Sequence, residues 1–330
     1  MSPLLEIEHV SKNFVKEPDA VQKLLNHVGA RYPSQTVRAV DDVSLAIQPG
    51  EVLGLVGESG CGKSTLGRII AGIFTATTGQ LHYHGQQRSE MSAAQRKKMN
   101  LEIQMIFQNP MASLNPRMKV KEIIGEAPMV HGLIKASELD DYVAQLMEQV
   151  GLDPSYSNRY PHQFSGGQRQ RIGIARALAV QPKVIVCDES VAALDVSIQA
   201  QVLNLFMDLR EKLGLTYLFI SHDLGVVGHL SDRVAIMYLG RIVEIGSTDS
   251  IYAQPLHPYT QGLLAAKPKM VAKRLQYIPI TGEIPSPLNP PSGCHFHPRC
   301  SHATARCRVE SPPLRQLDTG RWVACHLEMQ

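Results

Sequence analysis

No stretch of this 330-residue sequence approaches the roughly 18 uninterrupted apolar residues that a membrane-spanning helix needs. Any membrane role is therefore expected to come through partner subunits. Charge of one sign is not in excess either: 33 Lys and Arg face 30 Asp and Glu, a formal net charge of +3, so nothing demands a nucleic-acid partner. The start, Met1-Ser2-Pro3-Leu4-Leu5-Glu6, lacks both a basic segment and an apolar segment of an export signal, and a cytosolic chain is expected. No internal repeat is visible. Cysteine is scarce and unevenly placed. Cys61 and Cys187 stand alone, whereas Cys294, Cys300, Cys307 and Cys325 crowd the C-terminal end. In a reducing compartment such a cluster reads as metal ligation before disulfides.

What is present is a globular composition, 44% hydrophobic, with enough length for one large domain and an appendage. Apolar runs alternate with helical stretches and glycine-rich turns up to about Tyr238, the pattern of an α/β domain. The predicted strands are Leu4–His9, Val52–Val56, Ile103–Phe107, Lys183–Cys187, Tyr217–Ile220 and Arg233–Met237. Runs such as Val184-Ile185-Val186 suit parallel strands covered on both faces. Lys119 to about Arg159 is more polar and helix-forming, with Gly125, Pro128 and Gly132 as interruptions, and reads as a helical insertion within about residues 110–165. From Tyr277 to Pro298 prolines accumulate, marking an extended connector into the cysteine-rich tail. These patterns divide the chain into an expected core of residues 1–250 and an extension of residues 251–330.

Gly57-Glu58-Ser59-Gly60-Cys61-Gly62-Lys63-Ser64 fits G-x-x-x-x-G-K-[ST], directly after one predicted strand and before a helix starting near Lys63 and Thr65. Glycines let backbone N–H groups turn inward around phosphate oxygens, and the helix N-terminus adds partial positive charge. Lys63 can reach the β- and γ-phosphates, and the Ser64 hydroxyl can ligate Mg²⁺. Val184-Ile185-Val186-Cys187-Asp188-Glu189 is an apolar strand ending in two carboxylates, one placed to hold Mg²⁺ (Asp188) and one to polarise a water (Glu189). Together the two elements specify a P-loop NTPase without saying which kind.

Phe164-Ser165-Gly166-Gly167-Gln168-Arg169-Gln170-Arg171 decides it, because it resembles the signature of ABC transporter ATPases. Ser165 and two glycines before the helix predicted near Gln168–Ala179 make a second anion-binding helix start. In that family the second cradle serves the ATP bound by the opposite subunit, so the resemblance implies a working dimer. It also implies the fold: a P-loop ABC-type ATPase domain with a mostly parallel core sheet, an N-terminal antiparallel β subdomain, an inserted α-helical subdomain, and here a C-terminal cysteine-rich extension. Further matches follow in order. Gln108 corresponds to the glutamine that links Mg²⁺ to the helical insertion, Ala193-Leu194-Asp195 to the loop carrying Asp195 beside the nucleotide, and His222 to the histidine that contacts the γ-phosphate. Phe14 takes the place of the aromatic that stacks on adenine, with Tyr32 as the alternative. Ser190 stands where the family usually has proline and Ala193 where serine is common; both lie beside the chemistry. Cys61 reads as a small residue in a tight loop.

Gln108-Asn109-Pro110-Met111-Ala112-Ser113-Leu114-Asn115-Pro116-Arg117, Pro258-Tyr259-Thr260 and Pro285-Ser286-Pro287-Leu288-Asn289-Pro290-Pro291 resemble the dipeptide and oligopeptide (peptide/nickel) permease ATPases. The resemblance implies ATP and Mg²⁺ as ligands, a second and non-identical ATPase subunit, two transmembrane permease subunits and an extracytoplasmic solute-binding protein. The chain would then sit peripherally on the cytoplasmic face of the cell membrane and energise import of di- or oligopeptides, with nickel, glutathione or another small solute as the alternative cargo. Similar tails carry a [4Fe–4S] cluster, which the resemblance assigns to Cys294, Cys300, Cys307 and Cys325. Zn²⁺ stays open because His295, His297 and His302 lie near, although the spacing C-x5-C-x6-C-x17-C is unlike paired zinc ligands. Competing classes are a soluble ABC ATPase of repair or translation, a non-catalytic scaffold subunit, and a zinc-dependent nucleic-acid module. The single cassette, the intact Lys63, Asp188, Glu189 and His222, and the balanced charge weigh against them in turn.

Overall fold

The computed structural model describes residues 2–19, 21, 34–192, 194–266, 280–317 and 320–327. Tyr32, Ala193 and the start of the proline-rich stretch at 277–279 lie outside the described residues.

Among the described residues, two sheets organise the fold. The smaller is antiparallel, in the order β2-β1-β4-β5, from β1 (Leu5–Lys16), β2 (Gln35–Ile47), β4 (Thr78–Tyr83) and β5 (Gln86–Gln87). The larger also includes β3 (Val52–Val56), β6 (Ile103–Ile106), β7 (Val184–Asp188), β8 (Thr216–Ser221), β9 (Arg233–Tyr238), β10 (Arg241–Ser247), β11 (Arg315–Gln316) and β12 (Trp322–Val323), in the order β11-β12-β10-β9-β3-β8-β7-β6. Five adjacent strands, β9-β3-β8-β7-β6, run parallel and end at the edge strand β6. Every residue of β3, β7 and β8 is buried, which is why these strands read as continuous apolar runs instead of alternating ones. Neighbouring residues serve opposite faces: Leu53, Leu55, Val184 and Val186 pack with the small sheet, whereas Val52, Val56, Ile185 and Cys187 pack with the helical side. β12 pairs antiparallel with β10, so the C-terminal hairpin extends the large sheet.

The predicted strands appear within about a residue of their expected ends, with one exception. The first runs through to Lys16 because His9 adopts a left-handed backbone (φ 50°) that bulges the strand instead of ending it.

Four helices matter for the site: α1 (Lys63–Ile70), α2 (Val120–Val130), α3 (Leu139–Gln149) and α4 (Gly166–Leu178). Here two expectations are corrected. Gly125 and Pro128 do not interrupt the insertion; α2 passes through both. A Cβ at Gly125 would stand 2.2 Å from Leu139 Cδ1, so the residue is a contact point where α3 crosses, and packing outweighs the low helix propensity. The chain turns at Gly132, which has φ 69°.

Candidate functional site

Between β3 and α1 the chain folds into a loop that tolerates little beyond glycine at two positions. Gly62 caps α1 at φ 106°, and a Cβ there would lie 2.0 Å from the Ala39 carbonyl oxygen. A Cβ on Gly57 would come within 2.1 Å of the Met237 carbonyl oxygen. The Lys63 side chain is buried inside this loop, its Nζ donating to the carbonyls of Gly57 (2.7 Å) and Glu58 (3.0 Å). Cys61 is buried as well. Desolvation raises its thiol pKa against the opposing pull of Lys63, so it stays a neutral small residue.

Beside the loop lies the end of β7. Ser64 Oγ donates to Asp188 Oδ1 at 2.7 Å, bringing together the two oxygen donors predicted to hold Mg²⁺. Asp188 is almost fully buried, and burial raises its pKa while the Ser64 hydrogen bond lowers it. A buried carboxylate with one neutral donor is a good host for a hard cation, which would replace the lost hydration. Glu189 follows with a left-handed backbone, φ 46°, fixed by its N–H bonding the Ile220 carbonyl (3.0 Å). A non-glycine residue in this region carries strain on the order of 1–3 kcal/mol, and here it turns the carboxylate out of the strand. That carboxylate meets Gln108 Nε2 at 2.6 Å and His222 Nδ1 at 3.3 Å. Two residues from two other strand ends therefore converge on this one carboxylate.

The other predicted residues sit as follows. Ser165 caps α4 in a reciprocal box: its Oγ accepts from Gln168 N–H (3.3 Å) and Gln168 Oε1 accepts from Ser165 N–H (3.0 Å). Ser165 and Gly166 are exposed, so this helix start faces solvent. Gly167 packs where a Cβ would meet Ile198 at 2.5 Å, which ties the segment to the start of α5 (Val196–Leu213), whose N-cap is the exposed Asp195. Phe14 is 37% exposed on β1, edge-on to Phe74 at 5.6 Å, with Lys12 Nζ 5.2 Å from its ring centre. Gly60 supports the loop at φ 80°, Ser59 lies beside it, and Thr65 lies in α1.

Two residues that sequence reasoning missed also reach the loop. Tyr259 OH accepts from the Glu58 N–H at 2.9 Å, and Arg299 forks onto the Glu58 carboxylate at 2.7 and 3.0 Å. The Pro258-Tyr259-Thr260 pattern was the available signal. Its chemistry is a buried tyrosine at the start of α6 (Pro258–Ala265).

In the tail, Cys307 is buried and the other three thiols are half-buried. Burial raises the pKa of Cys294 (to about 11), Cys300 and Cys325, and each of these thiols feels the charge of other members of the set. The Cys294 N–H bonds the Cys307 carbonyl at 2.9 Å. Among the described residues, no three of these sulfurs have all their separations within 4.8 Å.

A model of the ABC transporter family matches residues 40–192, and one of the oligopeptide/dipeptide transporter C-terminal region matches residues 243–307. The dipeptide transport ATP-binding protein DppF of Haemophilus influenzae is 50% identical over 317 residues, covering 92% of this chain and 96% of that protein. The chain belongs to the ABC transporter ATP-binding family. It is an ATPase with the P-loop ABC fold. The di/tripeptide transport ATP-binding protein DppF of Pseudomonas aeruginosa is 52% identical, covering 88% of this chain and 90% of that one. The oligopeptide transport ATP-binding protein OppF of Salmonella typhimurium is 51% identical, covering 86% of each chain. Among solved structures, the dimeric post-hydrolysis state of the ATP-binding cassette MJ0796 bound to ADP and Pi superposes with a TM-score of 0.62 at 25% identity. It covers 74% of this chain and 98% of that one. No helix among the described residues is long and apolar enough to cross a membrane.

Proposed function

We propose that this ATPase energises a bacterial importer of di- and oligopeptides from the cytoplasmic face of the cell membrane. It would pair with a second, non-identical ATPase subunit, two permease subunits and an extracytoplasmic solute-binding protein. Support for the cargo comes from relatives that match nearly end to end and carry dipeptide or oligopeptide transport names. The observation that carries the mechanism is the convergence of Gln108 and His222 on Glu189, next to the Ser64–Asp188 pair.

In this reading ATP is sandwiched between the phosphate loop, residues 57–64, of one subunit and the exposed Ser165–Gln168 helix start of the other, with Phe14 against adenine. Ser64 and Asp188, with Gln108 nearby, would hold a Mg²⁺ ion that neutralises phosphate charge when bound. Glu189 orients a water for in-line attack on the γ-phosphate and accepts its proton; Lys63 and His222 stabilise the charge that develops on the phosphate oxygens. Asp195 lies at the subunit junction. Loss of the γ-phosphate reopens the pair, and Gln108, at the head of the insertion, transmits that motion to the permeases.

In the tail, Cys294, Cys300, Cys307 and Cys325 would hold a [4Fe–4S] cluster, as the family resemblance implies. Its role would be a structural cross-link, and Zn²⁺ is the alternative. Uptake of labelled di- and oligopeptides by the assembled transporter tests the cargo. Competition by unlabelled peptides supports it, and uptake indifferent to peptides but sensitive to nickel or glutathione contradicts it.

A further inference from the structure

Glu58 has each of its three polar groups partnered. Its carbonyl accepts from Lys63 Nζ (3.0 Å), its N–H donates to Tyr259 OH (2.9 Å), and its carboxylate takes both prongs of Arg299 (2.7 and 3.0 Å). Two of those partners come from the C-terminal part of the chain; Arg299 is 241 positions away in sequence. The pair is largely withdrawn from water, with the Arg299 side chain 6% exposed and that of Glu58 22%. Arg299 ends a short turn, His297–Arg299, that is tied at both ends: the His297 N–H bonds the Cys294 carbonyl, and the Cys300 N–H bonds the His297 carbonyl. Its guanidinium also lies 5.8 Å from the ring centre of Tyr238, which packs tilted against Tyr259 and edge-on to Phe296. The arginine is thus held on a packed aromatic platform and cannot simply follow the loop.

Glu58 lies inside the loop that must admit a nucleotide triphosphate. A free carboxylate at that position would repel the phosphates at short range, in surroundings where screening by water is weak. We propose that Arg299 is a positioning residue for nucleotide binding: it neutralises the Glu58 carboxylate and holds it against the C-terminal extension, leaving the cradle to the backbone N–H groups and Lys63. The extension thereby sets the affinity of the ATP site. This rests on the loop being the ATP site.

The test measures ATP binding to the full chain and steady-state hydrolysis in the assembled transporter for Arg299→Met, Glu58→Gln, the double variant and Arg299→Lys. Arg299→Met exposes the carboxylate and should raise the KM for ATP on the order of tenfold, with kcat at saturation within about twofold of wild type. Glu58→Gln should leave KM at or below the wild-type value, and adding it to Arg299→Met should bring KM back. A brace of purely structural value behaves differently, since Glu58→Gln breaks the fork as surely as Arg299→Met does. Failure of Glu58→Gln to rescue overturns the proposal, as does an unchanged KM in Arg299→Met. If Arg299→Met fails to fold, Arg299→Lys decides: it keeps the charge, so KM within about threefold supports the proposal and a tenfold rise overturns it. Absence of ATP binding by wild type would instead overturn the assignment of the loop.

Discussion

Gln108 Nε2 donates a 2.6 Å hydrogen bond to Glu189 Oε2, joining residues 81 positions apart. One end of this contact is the proposed general base and the other opens the segment that leads into the helical insertion. The position of the insertion is therefore written directly onto the carboxylate that would orient water.

Gln108→Ala removes that link without touching the phosphate loop. ATP binding should stay within about twofold of wild type, while peptide uptake per ATP hydrolysed falls severalfold in reconstituted transporter. Parallel assays of hydrolysis and uptake check this; an unchanged ratio would place the coupling elsewhere.

Ser165 caps a helix start that faces solvent, so its proposed ligand is the partner's nucleotide. Ser165→Arg should leave this subunit's own nucleotide binding intact and abolish hydrolysis at the partner's site. Labelled nucleotide binding on each subunit separates the two, and loss of binding at its own loop would contradict the shared site.

Much of this site was legible because its parts are local. The phosphate loop, Asp188-Glu189 and the signature each occupy a few consecutive residues, and each needs only a strand or helix beside it to work. The long-range pairs were not legible. Nothing near Arg299 in sequence announces Glu58, and the chemistry of Tyr259 depends on a fold that brings α6 to the loop. Beyond its first strand, the small antiparallel sheet was expected only from the family resemblance, since its strands are half-exposed and bulged at His9, which blurs the alternation. Pro128 and Gly125 misled for the opposite reason: local propensity argued for a break where contact with Leu139 holds the helix.

His257 supplies a pH prediction. Its Nδ1 accepts from the Tyr259 N–H at 3.0 Å, and burial pushes its pKa from 6.5 down to about 3. Below about 6.5 the unfolded chain takes up a proton that the native ring refuses, so stability is full above that value and drains away as pH falls toward about 3. At pH 5 the loss is about 2 kcal/mol. His257→Asn keeps an acceptor at the helix start and should flatten the decline in Tm between pH 7.5 and 5; an equally steep decline would clear His257 of the effect.

Anaerobically purified protein should be brown, absorb broadly near 400 nm and contain about four irons per chain. Cys307→Ser should lose the iron and destabilise the tail, and ATP should still bind at the loop but more weakly, because the tail holds Arg299 against Glu58. Colourless protein with stoichiometric zinc would contradict the cluster.

The most direct test of the account is ATP turnover by Glu189→Gln in the assembled transporter, measured alongside ATP binding. Glutamine matches glutamate in size and keeps an oxygen for the Gln108 amide, but it cannot take the proton from water. Hydrolysis should fall by roughly 10²–10⁴-fold with ATP still bound and the two subunits trapped together. Turnover near the wild-type rate would contradict the role of Glu189 and, with it, the mechanism built on its contacts with Gln108 and His222.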